Sequence, residues 1–482
     1  MRADRLFAPF HFARSRGALE VYDYQIKDIV TDPHAATAQT VFVCVRTPLF
    51  DGHRSAALAY ANGCRCFVAA RGLGLPSDAA VYTVEDPEAQ LPALAAHCFG
   101  YPARGITVLG VTGTNGKTSV VNTLASLLRQ AGKRVATLTT DGTDLDGTFT
   151  KAAPIAPNAA DVQRMLRAAR RQKIEFAIVE FSAYMLAHHA ADHIPFAAVL
   201  LTDLVPRHIG AGLFADLAAY RAAKHHLLEA EAALVLLPDT YQAPAVKGNT
   251  VRYGESGEIA WSHAKTEVRE GVIGTQLAVS YKGENIEAFY PVVGDFAVKN
   301  ATASIALALA VGLSHAEIAK YLPHAVPVGR MEQIFSRGGA RIFLDTAYEA
   351  EDLTRVLRIL RTVTTGKLSV VLGSVGDRAE QRRAPLGTAA VTYADFAYFT
   401  ADDPSGELPE KIARDMVAEI EDSWRYRIVS SRSRAIQLAV ADLREGDTLL
   451  ILGKARDHTQ LVKGQEQEFH DRATALEAAQ QS

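Results

Sequence analysis

Residues 106–130 read ITVLGVTGTNGKTSVVNTLASLLRQ, and this stretch decides the fold class. Ile106–Val111 is an apolar run of the kind that fills a strand buried on both faces. A glycine-rich turn follows, from Gly110 through Gly113, Thr114, Asn115 and Gly116 to Lys117 and Thr118. From Lys117 to Gln130 apolar residues recur at helical spacing, and Gly132 stops the pattern. Strand, glycine loop and helix in that order make a phosphate-binding loop. The glycines let backbone N–H groups turn inward around phosphate oxygens, and the helix N-terminus adds about half a positive charge. Lys117 can neutralise charge between the β- and γ-phosphates, and the Thr118 hydroxyl can ligate Mg²⁺. Nucleotide binding is the expectation.

The chain on either side keeps an α/β rhythm. Further apolar strands are expected at Ala177–Val179, Ala197–Leu201 and Ala233–Leu237, antiparallel strands over residues 251–291, and a buried helix at Ala301–Val311. Upstream, Thr40–Val45 and Arg65–Ala70 read as strands around a helix at Arg54–Asn62 that Gly63 ends. Downstream, strands at Arg341–Leu344, Ser369–Leu372, Phe396–Thr400 and Thr448–Leu452 alternate with helices at Glu351–Arg361 and Pro409–Ile420. That pattern predicts a doubly wound sheet with ligands at the strand C-termini. The expected domains are residues 1–102, 103–326 and 327–482 of an α/β protein.

At 482 residues the chain has room for three domains of ordinary size. Lys and Arg total 51 against 54 Asp and Glu, a net charge of -3, which gives no sign of a nucleic-acid or polybasic membrane surface. The basic start MRADRLFAPFHFARSRG lacks the apolar centre of a signal peptide. The 4 cysteines, Cys44, Cys64, Cys66 and Cys98, have no zinc-knuckle spacing and are expected as reduced, buried thiols in a cytoplasmic protein.

Three more residues could join the loop. Glu180 ends an apolar strand, where a carboxylate suits Mg²⁺ or simply faces solvent. His208 follows another strand and reads equally as a metal ligand or a loop histidine. Lys224 stands mid-helix among Ala and Leu, a place usually held by a solvated or snorkelling lysine.

The loop GVTGTNGKTS (110–119) resembles that of the Mur ligases, ATP-dependent amide-bond-forming enzymes of peptidoglycan precursor synthesis. The resemblance runs along nearly the whole chain: residues 41–70, VEFSAYML (179–186), PRHIGAGLFADLAAYRAAKHHLL (206–228), GDFAVKN (294–300), VGRME (328–332), LDTAYEAEDL (344–353), TADDPSGELP (400–409) and LGKARD (452–457) fall in the family's order. It is strongest to the branch that adds the third residue of the stem peptide. The resemblance implies three domains, with a central P-loop ATPase domain and a C-terminal Rossmann-like domain. It implies ATP and Mg²⁺ as cofactors, and a UDP-linked muramoyl dipeptide and a free amino acid as partners, joined through an acyl phosphate by a monomer.

Carried over by position, the resemblance puts Gly113, Thr114, Asn115, Gly116, Lys117, Thr118 and Ser119 on the ATP phosphates. Thr118, Glu180, His208 and a carbamylated Lys224 become metal ligands, with Lys117, Lys224 and His208 the catalytic group. Asn300 faces the adenine, and Arg330 and Asp345 close on the nucleotide. Thr31, Asp32 and Ser182 contact the UDP-linked substrate, and Asp402, Asp403, Ser405 and Arg456 the amino acid. The chain departs from the family at Asp203, Arg207, Ala297, Tyr348, Ala183, Ala190 and Ala152-Ala153-Pro154. Members that take meso-diaminopimelate carry an Arg in an Asp-Asn-Pro-Arg segment, whose guanidinium fork suits a second carboxylate. Here the segment is Asp402-Asp403-Pro404-Ser405. Two acidic residues and a serine suit a cationic side chain, so L-lysine is the expected acceptor, although the segment also reads as a plain turn with an exposed acidic face. The competing readings are a ligase for a different carboxylate carrier and a nucleotide-binding paralogue without turnover.

Overall fold

The computed structural model describes residues 1–15, 24–47, 50–152, 157–205, 214–242, 246, 248–377 and 379–481. The chain divides into two units, residues 1–260 with 303–313, and residues 261–302 with 314–482.

Two large sheets organise the described residues of the first unit. In the N-terminal one, strands run in the order Ala13–Ser15, Ala80–Thr83, Cys66–Ala69, Thr40–Val43, Asp28–Val30, parallel except for the first pair. All four cysteines are free and buried. The larger sheet runs Thr148–Lys151, Gly142–Leu145, Val135–Leu138, Phe176–Glu180, Thr107–Thr112, Ala198–Leu201, Val235–Pro238, Thr250–Gly254. From Val135–Leu138 onward its pairs are parallel. Both faces of those inner strands are buried, which is why they read as unbroken apolar runs. Register places the chemistry: Glu180 lies opposite Val111, and Leu201 opposite Thr112. Three neighbouring strands therefore end at one level, and the glycine loop, Glu180 and the 202–205 segment leave the sheet together.

One large apolar core joins the two large sheets of this unit. Leu94 and Phe99 of the helix Pro87–Phe99 and Met165 and Leu166 of the helix Ala159–Arg171 belong to it. Burial of each such side chain contributes about 1.5–3 kcal/mol. Residues 251–291 depart from the expectation of antiparallel strands throughout, because Thr250–Gly254 adds to the parallel sheet beside Val235–Pro238.

In the second unit, Ile259–Arg269, Val272–Tyr281 and Glu284–Tyr290 are the antiparallel strands. They are joined by Glu270-Gly271 and Lys282-Gly283, each pair with φ positive at both residues, the backbone of tight hairpin turns. The buried helix begins earlier than expected and runs Asp295–Ala310, its residues 295–302 counted with the second unit and the rest with the first. The last sheet has the order Glu332–Arg337, Ala340–Asp345, Thr448–Leu452, Leu368–Leu372, Phe396–Phe399, Tyr426–Ile428. It is parallel apart from the initial hairpin. Helices such as Ala350–Val363, Arg383–Tyr393 and Arg432–Ala441 connect its strands, giving the doubly wound pattern read from the sequence. Arg432 and Asp471 form a fully buried bidentate pair at 2.6 and 2.7 Å. Arg432 also donates to the carbonyls of Ala401 and Leu452, so the ends of two strands are pinned to the helix Asp471–Gln481. Among the described residues, no helix is long and apolar enough to cross a membrane.

Candidate active site

The loop is shaped by what its neighbours leave room for. A Cβ on Gly113 would lie 1.7 Å from Thr202 Oγ1, so only glycine lets the loop pass the end of the next strand. Gly116 has φ +80 and starts the helix Lys117–Gln130. Thr202 Oγ1 donates to the Asn115 carbonyl at 2.6 Å. Asp203 does more: Oδ1 accepts the N–H groups of Thr114 (2.7 Å) and Asn115 (2.8 Å), and Oδ2 accepts from the Asn115 side chain (2.8 Å). A residue that the sequence marks only as a departure from the family is the clamp that shapes the loop. Its position just past an apolar strand level with the loop was the available signal.

On the other side of the loop, Thr118 Oγ1 donates to Glu180 Oε2 at 2.7 Å, and Lys117 Nζ lies 3.8 Å from Glu180 Oε1. Glu180 is 3% exposed, so it is not the solvated loop residue of the alternative reading. Lys117 also donates to the Thr114 carbonyl at 3.0 Å.

Lys224 corrects the expectation of a snorkelling side chain. The helix Leu217–Leu228, capped by Asp216, carries it inward, and it is 2% exposed. Its ammonium donates to the Gly113 carbonyl and lies 4.8 Å from the centre of the Tyr220 ring. Burial, helped by Lys117, pulls its pKa from 10.5 down to about 7, against the opposing pull of Asp203 and Glu180. Near neutral pH a substantial fraction of this side chain is therefore a neutral amine. Tyr220, unnoticed in the sequence, shares a 2.9 Å hydrogen bond with Thr114 Oγ1.

The structure thus brings together Gly113, Thr114, Asn115, Gly116, Lys117, Thr118, Glu180 and Lys224. Ser119 is buried in the first turn of the loop helix. His208 and Arg207 lie outside the described residues. Ser182 caps the helix Ala183–Ala187, its hydroxyl accepting from Met185 N–H at 3.1 Å. Thr31 is buried and accepts from Asn158 Nδ2 at 3.0 Å, while Asp32 caps the turn Pro33–Ala35.

The second unit holds the remaining candidates. Asp345 ends its strand and accepts the N–H groups of Met331 and Ala347, both at 2.8 Å. Burial raises its pKa although Arg330 opposes the shift. Asn300 is buried on the helix Asp295–Ala310. Asp402 and Asp403 are not an open acidic face. Lys454 Nζ lies 2.7 Å from Asp403, 3.2 Å from Asp457 and 3.6 Å from Asp402. Burial works against the Lys454 charge, but the three carboxylates outweigh it and hold its pKa up. Ser405 beside them has φ +53, and Arg456 is half-buried two residues after Lys454.

Residues 111–308 match the Mur ligase middle domain, and residues 329–455 the Mur ligase glutamate ligase domain. A UDP-N-acetylmuramoyl-L-alanyl-D-glutamate–2,6-diaminopimelate ligase of Syntrophomonas wolfei is 28% identical over 465 residues, covering 94% of this chain and 95% of that protein. The ligase of the same name from Streptomyces coelicolor is 31% identical over 423 residues, 85% of this chain and 82% of its own length. A solved structure of a ligase with this name aligns over 100% of this chain and 99% of its own, at TM-score 0.64 and 20% identity. With both characteristic domains in order and similarity over nearly its whole length, the chain belongs to the Mur ligase family.

Proposed function

We propose that this ATP-dependent ligase joins an amino acid to UDP-N-acetylmuramoyl-L-alanyl-D-glutamate, in peptidoglycan precursor synthesis. The observation that carries the reading is the convergence of Lys117, Thr118, Glu180 and Lys224 on one glycine loop. The buried Thr118 hydroxyl and Glu180 carboxylate form a hard-oxygen pair that suits Mg²⁺, which when bound spreads phosphate charge. In the proposed reaction a substrate carboxylate oxygen attacks the γ-phosphorus and ADP leaves. The amine of the second substrate then attacks the acyl carbon, loses a proton and expels phosphate. Lys117 meets the transferring phosphoryl group, and the loop amides orient the phosphate chain. Residues 1–102 take the UDP moiety through Thr31 and Asp32, and Ser182 borders the muramoyl peptide. Residues 103–326 hold ATP, and residues 327–482 hold the amino acid. By the resemblance Asn300, Arg330 and Asp345 also serve the nucleotide, His208 supports the metal, and Lys224 acts as a carbamate.

The proposed acceptor is L-lysine. Asp402, Asp403 and Asp457 bring three carboxylates to the Lys454 ammonium, and Ser405 rather than Arg follows Pro404. Arg456 and the relatives' printed substrate favour diaminopimelate as the second reading. The test is phosphate release from ATP. It should require both the UDP-linked dipeptide and an amino acid. ATP hydrolysis indifferent to the dipeptide would point to another carrier.

A further inference from the structure

Beside the helix that carries Lys224 lies a cluster that the proposed reaction does not use. His226 Nε2 is 2.6 Å from Asp192 Oδ1, and His189 Nδ1 is 3.3 Å from Asp192 Oδ2. Two imidazoles from different elements thus aim at one carboxylate. Their rings stand nearly perpendicular, at 83°, with centres 4.6 Å apart, so they converge edge-on instead of stacking. The three ligand atoms all lie within 4.8 Å of one another. We propose that His189, Asp192 and His226 form a binding site for a borderline transition-metal dication of the Zn²⁺ type, separate from the nucleotide's metal.

The donor set argues for that class. Two imidazole nitrogens and one carboxylate oxygen suit Zn²⁺ and its neighbours, whereas Mg²⁺ and Ca²⁺ prefer oxygen alone. With metal–ligand bonds of about 2.0–2.2 Å, tetrahedral ligands stand roughly 3.3 Å apart. The widest spacing in the cluster, at most 4.8 Å, must therefore close, while the 2.6 Å contact between His226 and Asp192 opens slightly. The His189 side chain is 50% exposed and has the freedom to make that adjustment, while Asp192 (36%) and His226 (29%) are firmer. The exposed side leaves room for water as a fourth ligand.

The backbone around the site is well defined. His189 adopts φ +59 in a tight turn, where its N–H donates to Leu186 O (3.1 Å) and its carbonyl accepts from Asp192 N–H (3.0 Å). His226 stands in the last turn of the helix Leu217–Leu228. A bound metal would therefore link the segment that follows Glu180 and Ser182 to the helix of Lys224. Its role is to brace the two elements that bear those residues, not to take part in phosphoryl transfer.

The experiment uses the full chain, stripped with chelator and kept in millimolar Mg²⁺ to occupy the nucleotide's metal site. Co²⁺ is titrated in, followed by Zn²⁺. The expected result is one Co²⁺ per chain, with the visible absorption of a four-coordinate site, displaced by one equivalent of Zn²⁺. His189→Gln and His226→Gln should each weaken binding about 100-fold or more, at or beyond the roughly 10–100-fold that loss of an outer hydrogen-bond partner costs. His263→Gln, at an exposed histidine elsewhere, should bind as the parent does. Circular dichroism of the metal-free variants checks folding. Asp192→Asn keeps the side-chain shape and removes the anionic ligand, so it decides the matter if a histidine variant fails to fold. Absence of micromolar Co²⁺ or Zn²⁺ binding by the parent, or parent-like binding by folded variants of His189, Asp192 or His226, overturns the proposal.

Discussion

At the scale of single residues, the loop is a balance of charges packed against backbone carbonyls. Lys117 and Lys224 both donate to loop carbonyls, of Thr114 and Gly113. Burial, with the Lys117 charge nearby, brings the Lys224 pKa down to about 7. A neutral amine can attack CO₂, forming an N–C bond and releasing a proton, so this lysine is primed to become a carbamate. Activity should therefore rise when bicarbonate is added to CO₂-depleted enzyme, and ¹³C-bicarbonate should give a carbamate carbon signal that Lys224→Ala lacks. Short carboxylic acids should restore part of that variant's activity. Full activity of Lys224→Ala without any such acid would sink the idea. Lys117→Ala should stay folded, because the side chain meets the loop and not the core, yet lose ATP turnover by on the order of 10³-fold or more. Asp203 makes a subtler case. Asp203→Ala strips the acceptors from three N–H donors and should raise the KM for ATP at least several-fold. Asp203→Asn keeps an oxygen for the two backbone groups and should lie near the parent. Equal ATP KM values for Asp203→Ala and the parent would remove the clamp from the account.

At the scale of elements, the helix Pro87–Phe99 sets two effects against each other. Asp86 caps it, accepting from the N–H groups of Glu88 and Ala89 at 3.0 Å, and a carboxylate at Glu88 should gain from the helix N-terminus. Burial wins, with help from Asp86, and pushes Glu88 up from 4.5 to about 7. Its neighbour His188, 3.0 Å away, is pushed down by burial, so the contact is best described as a neutral hydrogen bond and not an ion pair. Between pH 4.5 and 7 the folded chain holds a proton on Glu88 that the unfolded chain releases. Stability from this group is thus present at low pH and is lost as pH rises through about 7. Glu88→Gln should change stability little at pH 5 and raise it at pH 8 by about 1–3 kcal/mol in denaturant melts. Destabilisation at pH 8 would mean that a charged pair with His188 is real. Elements of this kind were largely legible in the sequence. Lys117–Gln130 and Thr448–Leu452 form with the expected ends, because a glycine stop and an unbroken apolar run are local signals. The parallel pairing of Thr250–Gly254 was not legible, since periodicity does not say which neighbour a strand finds.

At the scale of the whole molecule, what sequence spacing could not supply is which distant residues answer one another's charge. The Asp402-Asp403-Pro404-Ser405 segment suggested an open acidic pocket, but Lys454, about 50 positions later, was already there to meet it. Two parallel strands deliver the two loops to the same sheet edge, a pairing set by topology and invisible in either segment alone. An incoming amino acid meets the segment with that lysine in place. Asp402, Asp403 and Asp457 bring three carboxylates to one ammonium, and burial raises Asp402 even though Lys454 and Arg432 pull it down. Arg432 is itself matched by Asp471, so it adds no free positive charge. A ligand with a terminal ammonium meets a field of the right sign, whereas a second carboxylate meets like charge and loses its water without compensation. L-lysine should therefore exceed meso-diaminopimelate in kcat/KM by about 100-fold or more with the same UDP-linked dipeptide. Ser405→Arg, which restores a guanidinium fork after Pro404, should narrow that ratio or reverse it. Arg456→Ala separates the two readings from the other direction. If Arg456 serves a second carboxylate, its removal depresses diaminopimelate turnover and spares lysine. A parent enzyme that prefers diaminopimelate and loses that preference on Arg456→Ala would overturn the lysine reading and give Arg456 the role that Ser405 vacates.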